Sequence, residues 1–419
     1  MNAEAEIPSS VPLLAGKRVV LGVSGSIAAY KAVSLASMLT QLEAEVDVLF
    51  TKAATEFVDP LTFRSVTGRP AYTEADLWGE SAHVLHVEVA RQADLFIIAP
   101  ATANTIAKLA HGEADSLISL AALGIDCPLV IAPAMDAGMF EHPAVQANLS
   151  RLKEWGVHIA GPAEGRMASG LEGVGRLLEP PELLGHIRLA MGASGPLQDH
   201  RFTVTAAGTE EPLDPVRALT NRSTGKQGFA LAQAALDRGA QVTLIAGPTF
   251  LPTPVGVDRI DVRTAAEMHE AVKRVLDQTD ALIMAAAVAD FRPAQQAEDK
   301  IKKAGGVRTL ELESTVDILA EVGKKRQETG RPAVLVGFAA ESQDLERNAR
   351  EKLLEKGVDL IVANDITAAD SGFAVDTNRV TIIDSEGSLQ SLPLLSKTEV
   401  AERVMERIED MLNDLRLSS

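Results

Sequence analysis

A single cysteine, Cys127, in 419 residues rules out an internal disulfide framework and suits a reducing cytoplasm. No apolar run reaches the length needed to span a membrane, so membrane insertion is not expected. A secretory signal needs basic and then apolar character, whereas Met1 to Gly16 are polar and acidic; they read as a disordered tail. Positive charge is in deficit, with 40 basic against 58 acidic residues and a formal charge of -18, so no nucleic acid partner is expected. Small phosphorylated substrates remain open, because local amides and lysines can oppose the global field. The dinucleotide spacing GxGxxG is missing, as is any repeat of solenoid period.

What is present is apolar material for two cores. Hydrophobic residues make up 46% of a chain longer than one core usually organises, which argues for two domains of about 200 residues each. Short apolar runs alternate with helix-compatible stretches, the pattern of a parallel sheet covered by helices on both faces. One set of strands is expected at Arg18–Val23, Glu45–Phe50, Leu95–Ala99 and Leu129–Ala132, with a helix over Ala28–Leu42. A second set begins at Arg201–Ala206 and continues at Gln241–Ala246, Ala281–Ala285, Ala333–Phe338 and Leu360–Ala363. Between them Met191–Asp199 is rich in Gly, Ser and Pro and marks the boundary.

Ligands of such sheets sit beyond the carboxyl ends of the strands. After the first strand comes Gly22-Val23-Ser24-Gly25-Ser26-Ile27-Ala28-Ala29-Tyr30-Lys31, small residues opening a helix, where backbone amides favour a phosphate. Without GxGxxG, a flavin mononucleotide or another monophosphate fits better than NAD; a plain tight turn would explain the same residues. Thr51 and Pro100-Ala101-Thr102-Ala103-Asn104-Thr105 are polar helix starts that can hold a cofactor or simply cap helices. Ser81 to Val89 carries His83 and His86 three apart, too thinly supported for a metal site; either could serve as a general base or face solvent.

Together with Pro133-Ala134-Met135, these segments resemble the homo-oligomeric flavin-containing cysteine decarboxylases, and within them phosphopantothenoylcysteine decarboxylase. The resemblance implies FMN near Gly25, Ser26, Thr51, Thr102 and Ala103, with His86 and not His83 at the catalytic position. It implies oxidation of the substrate thiol to a thioaldehyde, loss of carbon dioxide into that sink, and return of the electrons.

Downstream, Thr205-Ala206-Ala207-Gly208-Thr209, Asp214-Pro215-Val216-Arg217, Asn221 to Lys226, Ala285 to Asp290 and Lys300-Ile301-Lys302-Lys303 follow the order and spacing of phosphopantothenate-cysteine ligase. Gly337 to Glu341 and Ala363-Asn364-Asp365 extend the match over nearly the whole segment. A free carboxylate does not form an amide at neutral pH, so a nucleoside triphosphate must first activate it. The resemblance implies CTP as that substrate, held by Ala285, Ala286, Asp290, Lys300, Asp317, Phe338, Lys352 and Lys356, with Mg2+ or Mn2+ bridging the phosphates. Lys352 and Lys356 are spaced to share one helix face, which by itself also describes a solvated surface, and Phe338 at a strand end also describes plain core. Asn221 falls where the family orients the acyl intermediate, which cysteine then attacks. The metal ligands are not assigned.

The resemblance therefore implies an α/β chain of two doubly wound, mainly parallel-sheet, Rossmann-like domains, a flavodoxin-like flavoprotein followed by a ligase domain. The expected limits are a tail at 1–16, a decarboxylase domain at 17–192, a linker at 193–199 and a ligase domain at 200–419. The implied partners are small molecules, 4'-phosphopantothenate, cysteine, CTP and phosphopantothenoylcysteine, handled by a cytoplasmic homo-oligomer. The chain also departs from the pattern. Ala206-Ala207 replace a Gly pair, tolerable if the backbone angles admit alanine. Glu210 stands in place of an arginine and removes a cation near the expected phosphate. Asp136 replaces an asparagine, and Ser169 occupies the position of the proton-donating cysteine in the flap Gly161–Arg176. Cys127 precedes a strand and reads as an inert buried thiol. Two alternatives stand: a ligase whose flavin-binding half is a silent oligomerisation domain, and a nicotinamide-dependent reductase, which the missing GxGxxG disfavours.

Overall fold

The computed structural model describes residues 11–78, 84–167, 170–302, 309–341, 345–365 and 375–417. The chain divides after Gly192 into two compact units.

In the first unit the order is β1 (Arg18–Val23), α1 (Ala29–Gln41), β2 (Glu45–Phe50), α2 (Pro60–Thr67), β3 (Ala71–Tyr72), α3 (Leu85–Gln92), β4 (Leu95–Ala101) and α4 (Ala103–His111). It continues with α5 (Leu117–Leu123), β5 (Leu129–Pro133), α6 (Ala137–Phe140), α7 (Pro143–Glu154), β6 (His158–Ile159), β7 (Ala163–Arg166), β8 (Glu172–Arg176) and α8 (Pro180–Gly192). The sheet runs β3-β2-β1-β4-β5-β6, all parallel. Apart from the two-residue β3, that is the flavodoxin order, with the switch point between β1 and β4. Alternate residues of β1 serve two cores: Val19 and Leu21 pack with α1 and α8, whereas Val20 packs with Phe96 and Ile98 on the other face. That is why the strand is apolar throughout instead of alternating. α1 buries Ala29, Ala32, Leu35, Ala36 and Leu39, a helical stripe against the sheet.

The expected tail ends sooner than Gly16. Val11 and Leu14 are fully buried and join the core beside α1, with the Leu14 N–H on the Val11 carbonyl at 2.8 Å. The run Val11-Pro12-Leu13-Leu14-Ala15 is too short to carry a periodic signal that would reveal this. The expected linker is likewise part of a fold. Leu197 is buried and its N–H bonds to the Arg238 carbonyl at 2.8 Å, and a Cβ on Gly195 would come within 2.4 Å of that carbonyl.

The second unit holds β9 (Arg201–Ala206), β10 (Glu210–Pro212), β11 (Ala218–Thr220), α9 (Lys226–Leu236), β12 (Gln241–Ala246), β13 (Asp258–Asp261), α10 (Ala265–Val275), β14 (Ala281–Met284), β15 (Phe291–Pro293) and β16 (Leu312–Ser314). It closes with α11 (Ile318–Thr329), β17 (Val334–Glu341), α12 (Leu345–Lys356), β18 (Leu360–Asp365), β19 (Thr377–Asn378), β20 (Val380–Asp384), β21 (Leu389–Ser391) and α13 (Lys397–Leu417). Its sheet runs β13-β12-β9-β14-β17-β18-β20-β21, parallel up to β18 and antiparallel beyond. The switch point lies between β9 and β14. Strand β14 stops at Met284, so Ala285 belongs to the loop where a ligand would sit.

Two histidines in the first unit impose a pH dependence. His158 of β6 and His186 of α8 face each other with ring nitrogens 2.7 Å apart. Burial lowers the basicity of both, and for His186 the neighbouring ring adds to it, bringing it down to about 4. A histidine depressed when folded contributes stability above its unfolded pKa of about 6.5 and loses it as the pH falls toward the folded value. The thermal midpoint of this unit should therefore drop between about pH 6.5 and pH 4, and less steeply in His186→Gln. Parallel slopes in melting curves of the two proteins would show that the pair contributes nothing.

Candidate functional site

In the first unit three loops meet above the switch point. The buried Ser24 hydroxyl donates to the Pro100 carbonyl at 2.7 Å and accepts the Thr102 N–H at 3.0 Å, joining the ends of β1 and β4. A Cβ on Gly25 would lie 2.5 Å from the Ala53 Cβ, so only glycine lets the loop after β1 pass the loop after β2. Thr51 and Thr102 each accept an amide three residues on, from Ala54 and Thr105, and so cap the following helices. Gly25, Ser26, Thr51, Thr102 and Ala103 thus come from loops that the fold brings to one end of the sheet.

A cavity of about 410 Å³ opens beside them, lined among others by Ser26, Tyr30, Asp136, Arg166 and Arg176. Asp136 caps α6 by accepting the Gly138 N–H at 3.1 Å. The hairpin of β7 and β8 closes over this loop: Met135 N–H bonds to the Gly175 carbonyl at 2.9 Å, and a Cβ on Gly175 would strike the Met135 oxygen at 2.3 Å. Beneath, the buried Lys31 donates to the Leu177 carbonyl and to Glu179, anchoring the chain after the hairpin. Ser169 and His83 lie outside the described residues. His86 sits in the first turn of α3, half-buried, and is not among the residues lining this cavity. Cys127 is half-buried and burial pushes its thiol up to about 11, so it stays protonated at neutral pH.

The second unit has a larger cavity of about 580 Å³ at its own switch point. Its walls include Asn221, Ala285, Ala286, Asp290, Asp317, Phe338 and Lys352. Thr205 and Thr209 shape the loop after β14, their hydroxyls accepting the Ala286 and Ala289 amides at 3.1 and 2.9 Å. The Asn221 side-chain amide donates to the Ala287 and Val288 carbonyls at 3.0 and 3.3 Å, clamping that loop from the other side. Asp317 caps α11. Burial pushes the Asp317 carboxyl up, but Lys356 at 2.9 Å and the Ala320 amide outweigh it and hold the carboxyl below its usual range. Its partner Lys356 is raised in turn. Lys356 and Lys300 are not among the cavity-lining residues: the former is turned onto Asp317, the latter exposed.

The alanine at the first loop is not accommodated freely. Ala207 has φ +65°, a left-handed conformation costing a residue with a Cβ about 1–2 kcal/mol. Glu210 is matched by Arg263 at 3.2 Å, so a cation stands beside it after all. Sequence reasoning quoted Ser24, Arg166 and Arg176 within its loop and flap without singling them out, and missed Gln227, Asn378 and Lys397 altogether. The last three come from three distant segments that line the second cavity or its wall, with no local pattern to flag them. Among the described residues no group of three or more His, Cys, Asp or Glu is placed to hold a metal ion, and no helix is long and apolar enough to cross a membrane.

Two doubly wound units, each with a cavity beside the loops at the carboxyl ends of its strands, define a two-domain α/β protein with a ligand site in each half. A family model for flavoproteins matches residues 9–190, and one for the DNA/pantothenate metabolism flavoprotein C-terminal domain matches residues 197–412. The coenzyme A biosynthesis bifunctional protein CoaBC of Bacillus subtilis (strain 168) is 46% identical over 399 residues, spanning 94% of this chain and 97% of its own. That of Vibrio cholerae serotype O1 (strain ATCC 39315 / El Tor Inaba N16961) is 45% identical over 401 residues, spanning 95% and 99%. Among solved structures, a C-terminal domain of CoaBC is 41% identical and covers 53% of this chain and 100% of its own, with a TM-score of 0.45. The chain belongs to the family of bifunctional coenzyme A biosynthesis proteins, CoaBC.

Proposed function

We propose that the chain performs two consecutive steps of coenzyme A biosynthesis. The second unit joins 4'-phosphopantothenate to cysteine with CTP, through an acyl-cytidylate. The first unit, carrying FMN, decarboxylates the resulting phosphopantothenoylcysteine to 4'-phosphopantetheine. The observation that supports this best is the second cavity, where seven of the nine ligase positions implied by sequence line one space.

In that cavity Asn221 holds the Ala285–Asp290 loop that would receive the nucleotide, and Phe338 offers an apolar surface to its base. Lys352 on the wall would oppose the triphosphate charge, while Lys356 is paired with the wall residue Asp317 and Lys300, exposed outside the lining, would have to move to reach it. A divalent ion, Mg2+ or Mn2+, would take most of its ligands from phosphate oxygens and water, with Asp290 and Asp317 as the wall carboxylates within the cavity.

The first unit fits a flavin phosphate. Its loops present hydroxyls and helix-start amides from Ser26, Thr51, Thr102 and Ala103, and the close packing of Gly25 on Ala53 brings the loops after β1 and β2 together. FMN, when bound, supplies the two-electron sink and source. Arg166 and Arg176 line the neighbouring cavity as counterions for an acidic substrate, and Asp136 faces it. His86 is assigned the base. It lies outside the cavity of its own chain, as a site completed by a second copy would require, and we take the working form to be a cytoplasmic homo-oligomer. Ser169 is too weak an acid to replace a thiol of pKa about 8.5, so water or a flap group ordered by it would deliver the last proton.

Gly25→Val should expel the flavin, because the added branches meet Ala53 already within van der Waals contact. The visible flavin absorbance should vanish while amide formation persists; retention of the flavin would reject the loop as its seat. The deciding experiment supplies the pure protein with 4'-phosphopantothenate, cysteine, CTP and Mg2+ and reads products by mass. We expect 4'-phosphopantetheine and carbon dioxide. Accumulation of phosphopantothenoylcysteine would leave only the ligase, and arrest at the oxidised ene-thiol would show that Ser169 ends the reductive step.

A further inference from the structure

One lysine on the wall of the second cavity has no part in the contacts assigned above. Lys397 is the first residue of α13 and is only 7% exposed, yet it lines the cavity together with Asn221 and Asp290. Its ammonium donates to the Val375 carbonyl. Its own carbonyl accepts the Gln227 side-chain amide at 3.1 Å, and the Gln227 oxygen accepts from Asn378 at 2.9 Å. Residues from α9 and β19 therefore fix the backbone at the start of α13, while burial and the Val375 carbonyl hold the side chain that a surface lysine would leave to sample many rotamers. Among the charged groups around it, Lys226 is engaged with Asp376, and Glu399 on its own helix accepts the Ser396 N–H and hydroxyl at 2.8 and 2.7 Å.

Amide formation leaves a proton to be placed. Cysteine carries an ammonium near neutral pH, and the nitrogen can attack only through its lone pair. A group that takes the proton must be basic enough to accept it and already neutral part of the time. We propose that the Lys397 Nζ is that acceptor in the second half of the ligase reaction. The inference rests on the ligase reading given above. The cysteine nitrogen forms the new C–N bond with its lone pair and the C–O bond to the cytidylate phosphate breaks. CMP leaves with that electron pair, and the proton shed by nitrogen passes to neutral Lys397, then to water.

Burial is the main reason such a lysine is available. It brings Lys397 down to about 8, with Asp376 opposing and Lys226 reinforcing the shift. At pH 7 about a tenth of the lysines are then neutral, against fewer than about one in a thousand for an ordinary lysine near 10.4.

The test uses the full-length protein and two variants. Lys397→Arg keeps the cation but cannot accept a proton, and Lys397→Gln removes both properties. Pyrophosphate release from CTP and 4'-phosphopantothenate, without cysteine, should stay within about threefold of the parent in each variant. Amide formation on adding cysteine should fall about 100-fold or more in both, the span of a lost acid–base group. Hydroxylamine, already unprotonated at neutral pH, should still intercept the acyl-nucleotide at the parent rate. In the parent the amide step should rise with pH and level off above about 8, a limb the variants lack. Cysteine coupling restored by Lys397→Arg would reduce the lysine to a cation, and hydroxamate falling with the amide would reduce it to packing; either overturns the proposal. Loss of pyrophosphate release in the variants alone would place Lys397 in activation and also overturn it. A parent protein that releases no pyrophosphate would instead overturn the ligase reading itself.

Discussion

Asn221→Asp should cut amide formation by at least about 100-fold while pyrophosphate continues to be released, the range seen when one oriented donor is lost from an active site. The reason lies in two hydrogen bonds. The Asn221 amide donates to the Ala287 and Val288 carbonyls, and an aspartate, with no donor, would set a carboxylate against two carbonyl oxygens. The loop from Ala285 to Asp290 would shift, and a negative charge would stand next to an anionic acyl-nucleotide. The same loop would receive the nucleotide, so pyrophosphate release should also fall, but less than the amide, whose acyl-nucleotide Asn221 would orient. Lys300→Ala should behave differently. Lys300 is exposed and, on the function proposed above, would serve the triphosphate, so pyrophosphate release should fall together with the amide. Paired assays of pyrophosphate and amide on the two variants decide the matter, and equal loss of pyrophosphate in both would reject this division of labour.

The second large effect is expected from His86→Asn. Removing a general base costs about 10²–10⁴ in rate, and carbon dioxide release from phosphopantothenoylcysteine should fall by that much. Because the ring sits half-buried in the first turn of α3 and not in the flavin loops, bound flavin should be unchanged in the visible spectrum. His83→Asn should leave the rate intact. If only the His83 variant loses carbon dioxide release, or if both lose it alike, the assignment to His86 is wrong. Measuring flavin content alongside rate separates lost chemistry from a lost cofactor.

Much of the architecture was legible because it rests on local signals. The strands at Arg18–Val23, Glu45–Phe50, Arg201–Ala206 and Gln241–Ala246 were bounded correctly, since each is an apolar run closed by a turn or polar residue. The capping threonines were legible for the same reason, an oxygen-bearing side chain just ahead of a helix. Strand ends were less so: β4 runs on through Pro100 to Ala101, and β17 to Glu341, where pairing with neighbours carries the ladder past the apolar run.

The sequence by itself determined two α/β units, the loops that carry small and polar residues at the strand ends, and the family to which both halves belong. Those properties follow from periodicity and from motifs a few residues long, which each stretch carries wherever it ends up. Tertiary structure alone decided which of those residues share a cavity. It placed Leu14 in a core, put Ala207 in a left-handed conformation under the loop of Gly225, and turned Lys356 onto Asp317. It also set Lys397 against Gln227, 170 positions away, where burial changes the acidity of its ammonium. Distance along the chain says nothing about such encounters, because desolvation and partner geometry exist only once the sheet has assembled and its distant loops converge at one edge.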